Sequence, residues 1–376
     1  MLLLGLAVMF ALLYLGLQVY YLLYWQKTPI TESAPLSSNS NGVSIVIIAR
    51  NEADNISQCI QGLLQQNYPN DLMEIMVIDD HSDDNTAAIV RGFDDPRIVL
   101  YALKDFPDYI HPPAFKKSAI TLAVDRARYD TIVVTDADCH HPSTWLSTSV
   151  FYFHQRHAVF QTGPVMISRG ETMLERMQET EQMLLMFITG AGISSALHDI
   201  ASGANMAFSK KAFHAVNGYK GNEHYASGDD MFLIEKMRDA YPDQIFFLKS
   251  IHATVTTDGK KTWRDLFNQR LRWAGKNKGL QNSLINRIWL FVGLYHILMV
   301  LSLILSLLSL APWWSALILF GAKWLTDFIL LRGVASFFQK KYLLREFIPL
   351  QLMYGYYLVA LGVLMVMGGK GDWERA

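Results

Sequence analysis

Charge is scarce in this sequence, and cysteine scarcer still. Of 376 residues only 18% are Asp, Glu, Lys or Arg, where a soluble domain carries about a quarter. The charges present nearly cancel, 33 basic against 34 acidic for a formal net charge of −1, so nothing global favours a nucleic-acid partner. Two cysteines, Cys59 and Cys139, are too few to staple a disulfide scaffold. No GxxxxGK[ST] loop occurs, and no GxGxxG follows the first strand-like run, so the usual nucleotide-triphosphate and dinucleotide cradles are missing. No internal repeat suggests an inverted-repeat transporter. What fills the sequence is apolar: 51% hydrophobic and 12% aromatic residues, with a mean hydropathy of +0.16. Disorder and a collagen-like fibre are excluded with it.

The apolar residues collect at the two ends. Residues 1–25 carry no charge, nor do 288–312, and apolar stretches follow at 313–331 and 347–368. A run of roughly 20 such residues spans a bilayer, so four spanning helices are expected, one before and three after a long polar segment. The first lacks a basic leader and a small-residue cleavage site before Gln26, and reads as an anchor rather than a signal peptide. Lys27, Lys276, Lys278 and Arg287 flank the polar segment, the Ala311-Pro312 turn is uncharged, and Arg332, Lys340, Lys341 and Arg345 separate the last two spans. This alternation places 27–287 in the cytoplasm and both termini outside, in a multi-pass inner membrane protein; Lys370 and Arg375 count against it. Unpaired cysteines fit a reducing compartment. Lys323 and Asp327 share one face of the third span, either neutralising each other or touching a polar part of an acceptor or product.

Between the spans, after a Ser/Asn-rich linker at 31–42, the pattern becomes regular. Strand-like runs at 43–49, 75–78, 97–101 and 131–134 alternate with helix-like stretches at 52–66 and 116–128, the mark of a parallel sheet covered on both faces. Ligands bind such sheets outside the carboxyl ends of the strands, and polar groups gather there. Arg50, Asn51 and Glu52 follow the first run, Asp79 and Asp80 the second, and Asp136 and Asp138 the fourth.

Two aspartates one residue apart can present oxygens to one divalent cation, and Mg²⁺ or Mn²⁺ favours such ligands together with substrate phosphates. His140 and His141 either join that shell or belong to a turn before Pro142. Asp229 and Asp230 open a helical stretch, where acids ordinarily cap, yet neighbouring carboxylates can divide into one structural group and one general base. Residues 260–280 combine helical apolar spacing with Lys260, Lys261, Arg264, Arg270, Arg272, Lys276 and Lys278 against the single acid Asp265, as in a helix lying on an anionic leaflet. Within it stands Gln269-Arg270-Leu271-Arg272-Trp273, able to offer a bidentate guanidinium and an apolar wall. The Met-rich stretch 171–198, with Glu175, Glu179 and Glu181, is either a core helix or one facing an acceptor.

Taken in order, Asn51-Glu52, Asp79-Asp80, Asp136-Ala137-Asp138, Asp229-Asp230 and Gln269 to Trp273 resemble the motif series of membrane-bound, processive-type glycosyltransferase family 2. That group includes cellulose, chitin, hyaluronan and poly-N-acetylglucosamine synthases and ceramide glucosyltransferases. The resemblance covers about 43–280. It implies an α/β GT-A fold with a Rossmann-like mixed sheet, and inverting transfer from a nucleotide-activated sugar, usually a uridine diphosphate sugar, with Mg²⁺ or Mn²⁺. By position, Ala49, Asn51 and Glu52 would border base and ribose, and Asp80 the uridine. Lys116 or Lys117 would lie near nucleotide or phosphate; a glycine usually precedes that lysine, and here Phe115 or Lys116 does, leaving the register open by one. Asp138 would be the main metal ligand, Asp136 a metal or sugar contact, and Asp230, beside Asp229, the base. Arg272, Gln269 and Trp273 would close on diphosphate and acceptor. The turn with Gly203 and Asn205 would face the acceptor or serve only as a tight turn.

The expected domains are a span at 1–26, a linker at 27–42, a catalytic domain at 43–259, an interface helix at 260–287, three spans at 288–368 and a tail at 369–376. The implied partners are a nucleotide-sugar donor, a lipid or saccharide acceptor and the bilayer. Four spans are few for a broad polysaccharide channel, which favours a glycolipid product, or a polymer made with a membrane partner or as an oligomer. A polyprenyl-phosphate glycosyltransferase, which generally lacks QxxRW, and a non-catalytic scaffold are the alternatives.

Overall fold

The computed structural model describes residues 2–34, 41–276 and 283–366, and the chain divides into two compact units. The first comprises Met1–Thr28, Met183–His198 and Gln281–Ala360. It contains α1 (Leu2–Lys27), the end of α6 (Met173–Ser195), α10 (Ser283–Leu307), α11 (Trp313–Phe337) and most of α12 (Phe347–Val366). Three helices are long and apolar enough to cross a membrane, over Leu3–Lys27, Leu284–Leu307 and Trp313–Phe337. The fourth expected span is a helix of 20 residues, several of whose side chains lie outside the described residues, as does the expected tail. Helix ends differ from the apolar runs because hydropathy marks the lipid-facing stretch, whereas hydrogen bonding carries the helix further. Thus α10 begins before Arg287, and α11 continues through Arg332. Pro312, with no amide hydrogen to give, is the N-cap of α11.

Inside this unit Tyr14 stacks on Tyr295 and Phe10 on Phe291, at centroid distances of 4.5 and 5.6 Å. Tyr14 donates to Asp327 Oδ1 at 3.0 Å, Lys323 pairs with Oδ2, and Gln351 bonds both partners, at 3.0 Å to Asp327 and 3.2 Å to Lys323. Lys323 and Asp327 are therefore buried and mutually satisfied, with α1 and α12 supplying the remaining bonds.

The second unit comprises Pro29–Gln182, Asp199–Leu280 and Leu361–Ala376. It holds β1 (Val43–Ala49), α2 (Ile56–Leu64), β2 (Met73–Asp79), α3 (Thr86–Arg91), β3 (Ile98–Ala102), α4 (Phe115–Arg126), β4 (Thr131–Asp136), α5 (Trp145–Gln155), β5 (Phe160–Thr162) and β6 (Val165–Ile167). There follow the start of α6, β7 (Met206–Ser209), α7 (Lys210–Ala215), α8 (Asp229–Ala240), β8 (Ile245–Phe247), β9 (Val255–Thr257) and α9 (Trp263–Lys276). The seven-stranded sheet has the order β3-β2-β1-β4-β7-β5-β8, and β6 pairs with β9 apart from it. β1 pairs in parallel with β2 and β4, and β7 runs antiparallel to β4 and β5, so the sheet is mixed. β1 reads as a continuous apolar run because both of its faces are covered, with nearly all of it buried.

The first helix starts at Ile56 rather than at residue 52. Asn51 adopts φ 53°, a left-handed conformation Asn tolerates, and the intervening residues form a turn instead. The strands β5 to β9 were not expected: at three or four residues each they are too short to establish a period of two. Met183–His198, expected in the catalytic domain, groups with the candidate spanning helices. There the His198 ring occupies the space a Cβ on Gly192 would fill.

Candidate active site

Parallel register brings the ends of β1, β2 and β4 level, with Ala49 opposite Asp79 and Ile48 opposite Asp136. Ala49 is fully buried and its carbonyl accepts from the Asp80 amide at 2.8 Å. Asn51 shapes this edge: its side-chain oxygen accepts from the Asp83 amide at 2.9 Å and its own amide donates to Ser82 at 3.1 Å. Glu52 is anchored through its amide to Thr86 at 2.8 Å and accepts from Asn55, also at 2.8 Å. Asp80 is buried against His81 Nδ1 at 2.8 Å. Arg50 Nε is buried and makes no hydrogen bond among the described residues.

At the end of β4 the two aspartates face different partners. Lys116, on the first turn of α4, donates to Asp136 Oδ1 at 2.8 Å and lies 3.8 Å from Asp229 Oδ2. Burial alone would lower the Lys116 pKa, and Asp136 and Asp229 overcome it to leave the ammonium well above its ordinary value. Lys117 points elsewhere. Its ammonium bonds the carbonyls of Asn222 and Tyr225 at 2.9 and 2.7 Å and lies over the Phe232 ring, so of the two lysines it is Lys116 that reaches the acids. Asp138 receives Thr257 Oγ1 at 3.3 Å and the Cys139 thiol at 3.7 Å. Burial, then the field of Asp136, raises its pKa, against the opposing charge of Lys260. Glu52 is raised chiefly by burial, with Asp138 and Asp136 adding to the shift.

Gly228, at φ 84°, turns the chain into α8, a conformation that suits glycine. It delivers Asp229 and Asp230, both more than nine-tenths buried, and Asp230 Oδ1 accepts the Met231 amide at 2.9 Å. Gly203 lies against the same cluster: a Cβ there would stand 3.2 Å from both Asp229 Oδ2 and Lys116 Nζ. The turn is held from behind. Asn205 donates to the carbonyls of Pro164 and Ala253 at 2.8 and 2.9 Å and accepts from Trp145 Nε1 at 3.0 Å. The Asn205 amide is thus spent inside the fold, while Gly203 touches the acids.

The histidines after the Asp136-Ala137-Asp138 turn belong to the core. His141 bonds Thr135 at 2.8 Å and packs on Trp145, and burial lowers its pKa to about 3. His140 pairs with Thr256 through its backbone. Cys59 and Cys139 are free and buried, with burial pushing the Cys59 thiol up to about 12. Among the described residues no three His, Cys, Asp or Glu side chains form a metal-binding group, so Asp136 and Asp138 stand as a two-carboxylate set. Oxygen donors of this kind suit Mg²⁺ or Mn²⁺, and a cation would relieve their mutual repulsion.

Helix α9 carries Gln269, Arg272 and Trp273; the side chains of Arg272 and Trp273 lie outside the described residues, as do 277–282. Arg270, expected on a lipid-facing surface, is instead buried. It donates through Nη2 and Nε to Glu181 Oε2 at 2.5 and 3.2 Å and through Nη1 to Gln269 Oε1 at 2.6 Å. Thr257 and Lys260 are the neighbours of the motifs that the sequence did not single out, and Glu181 was noted only within the Met-rich stretch, not as a partner of Arg270. Thr257 lies on a three-residue strand, and Lys260 looked like one more base in a basic run.

A family model described as glycosyl transferase family 2 matches residues 44–216, and one described as glycosyl transferase family group 2 matches 131–366. The chain is 25% identical over 245 residues to the probable glycosyltransferase YdaM of Bacillus subtilis, covering 63% of this chain and 55% of that protein. It is 26% identical over 233 residues to beta-monoglucosyldiacylglycerol synthase of Synechocystis, covering 62% and 47% respectively. It therefore spans about half the length of these two relatives. Among solved structures, the mannosyltransferase PcManGT of Pyrobaculum calidifontis, in complex with GDP-Man and Mn²⁺, shares the fold with a TM-score of 0.58 at 17% identity, over 96% of this chain and 98% of that one.

Proposed function

The chain belongs to glycosyltransferase family 2, and from that premise we propose that it is an inverting, metal-dependent glycosyltransferase acting at the cytoplasmic membrane face. It moves a sugar from a nucleoside diphosphate donor, with uridine as the first candidate base, to a membrane-associated acceptor, either a glycolipid or a growing saccharide. The observation that carries this reading is Lys116, whose ammonium joins the D-x-D edge at Asp136 to the acids of α8 at Asp229. The same cluster therefore spans the place for a donor, at the carboxyl ends of the strands, and the place for a base.

In this reading Ala49, Asn51, Glu52 and Asp80 border the nucleoside, and Lys116 faces the phosphate and sugar. Mg²⁺ or Mn²⁺ held by Asp138 and Asp136 would neutralise charge developing on the leaving diphosphate. Asp230 takes the proton of the acceptor hydroxyl while that oxygen attacks the anomeric carbon from the face opposite the departing nucleoside diphosphate. The new glycosidic bond forms as the old sugar–phosphate bond breaks, with inversion. Gly203 keeps the approach to Asp229 open, and Gln269, Arg272 and Trp273 of α9 close on the diphosphate and acceptor. The Mn²⁺ and GDP-Man in the PcManGT structure and the glycolipid product in the Synechocystis relative's name support this class of donor, metal and acceptor.

Incubating the purified protein with labelled nucleotide sugars, Mn²⁺ and a membrane lipid extract, then analysing products by mass spectrometry, tests the proposal. A glycolipid or saccharide formed with release of nucleoside diphosphate is expected. A lipid-phosphate sugar would assign the chain to the polyprenyl-phosphate reading instead, and no incorporation from any donor would refute transferase activity.

A further inference from the structure

The segment between β9 and α9 runs directly past the acids, and three independent contacts fix its course. At its start, Thr257 donates to Asp138 Oδ2 at 3.3 Å. In its middle, Gly259 passes so close to β6 and α6 that a Cβ would stand 3.2 Å from Ile167 and 3.7 Å from the Gln178 amide nitrogen. At its end, Gln178 grips Lys260 by both backbone groups: the Lys260 amide donates to Gln178 Oε1 and Gln178 Nε2 donates to the Lys260 carbonyl, each at 2.8 Å. Gln178 is 1% exposed, so this paired bond is made in a dry place, where an unmade amide bond is costly. A side-chain amide that saturates one residue's backbone on both sides fixes where that residue's side chain begins.

What it fixes is a cation beside two carboxylates. The Lys260 charge acts on both Asp138 and Glu52, yet among the described residues its ammonium makes no hydrogen bond or ion pair. The side chain is half-buried. A lysine three residues beyond Thr257, which itself bonds Asp138, with its donors uncommitted among the described residues, suits an anion that the acids themselves would repel.

We propose that Lys260, held in place by Gln178 and Thr257, is a donor-binding residue that contacts the diphosphate of the nucleotide sugar. The assignment rests on the glycosyltransferase reading and adds to it a cation from outside the family motifs. Gln178 and Thr257 are positioning residues: neither need touch the donor, and Gln178 acts only through the backbone of Lys260.

The test is calorimetric titration of the full-length protein with UDP, GDP and UMP in the presence of Mn²⁺, comparing wild type with Lys260→Met, Lys260→Arg and Gln178→Ala. Losing one charge-assisted hydrogen bond corresponds to a factor of about ten or more. Lys260→Met is expected to weaken nucleoside diphosphate binding about tenfold while changing UMP affinity less than about twofold. Lys260→Arg should recover most of the loss, and Gln178→Ala should reproduce the Met variant's selective defect. Diphosphate affinity equal to wild type in Lys260→Met overturns the inference alone, as does an equal loss of UMP and UDP binding in a variant that Arg does not rescue. A wild-type protein that binds neither UDP nor GDP overturns the donor-site reading, and this inference with it.

Discussion

Single residues show where chemistry was legible in the sequence and where it was not. Asp80, Asp136, Asp138, Asp229 and Asp230 could be picked out because carboxylates stand together at strand ends or at a helix start. Lys116 and Lys117 could not be told apart, because adjacent residues on a helix differ by a rotation that only packing decides. Packing sends Lys116 to Asp136 and Lys117 to the carbonyls of Asn222 and Tyr225. Asn205 stands in a turn whose sequence left both an acceptor contact and a plain tight turn open, and its amide is consumed by Pro164, Ala253 and Trp145. The raised pKa of Asp138 has a consequence for pH. Burial and Asp136 favour its protonated form, and a carboxyl must lose its proton to bind a metal. Metal-dependent nucleotide binding should therefore fall away on acidification at a higher pH than the ordinary aspartate value of about 3.9 would give. Titrating Mn²⁺-dependent UDP binding across pH 4 to 8 checks this, and affinity that stays flat down to pH 4 would contradict it.

Elements were read well where a period could build up and poorly elsewhere. β1 was expected and found at the same limits, 43–49, because a doubly covered strand is apolar almost throughout, Ser44 alone excepted. α9 was expected as an amphipathic helix on lipid, but one of its bases, Arg270, turns inward to Glu181 on α6. Sequence spacing gave no sign of this, since the partner lies 89 residues away. Both groups are largely buried, 7% and 18% exposed, and breaking a buried pair by deleting one partner costs about 3–5 kcal/mol. Arg270→Ala should lower stability by about that amount in chemical denaturation of the purified protein. Replacing Glu181 as well should return part of the loss, and an Arg270→Ala protein as stable as wild type would remove the pair's structural role. The same reasoning applies among the membrane helices. Asp327→Leu leaves the Lys323 ammonium buried without its carboxylate and should lower the thermal midpoint in detergent, whereas Lys323→Met with Asp327→Leu should restore most of it. A double variant no better than the single one would mean that Tyr14 and Gln351, not the ion pair, hold these helices.

For the molecule as a whole, the apolar runs at the two ends marked helices long and apolar enough to cross a membrane, while Met183–His198, expected in the catalytic domain, groups with those helices. Helix α6 is continuous in secondary structure, while its residues divide between the two units at Gln182 and Met183. A run of Met and apolar side chains gives no mark of such a division. The basic flanks lead to the expectation that 27–287 faces the cytoplasm, and labelling tests it. Single cysteines introduced at exposed Glu32 or Lys261 should react with a membrane-impermeant maleimide only after the cells are opened, with the native thiols buried and unreactive. Labelling of either site on intact cells would reverse the topology. The central claim is that Asp230 serves as base for sugar transfer from a nucleoside diphosphate donor, and the most direct measurement is single-turnover transfer by wild type and Asp230→Asn at saturating donor. The account predicts labelled product from the wild type, near-unchanged donor affinity in the variant, and transfer slowed by about 10²–10⁴-fold; a variant that transfers sugar at close to the wild-type rate would contradict it.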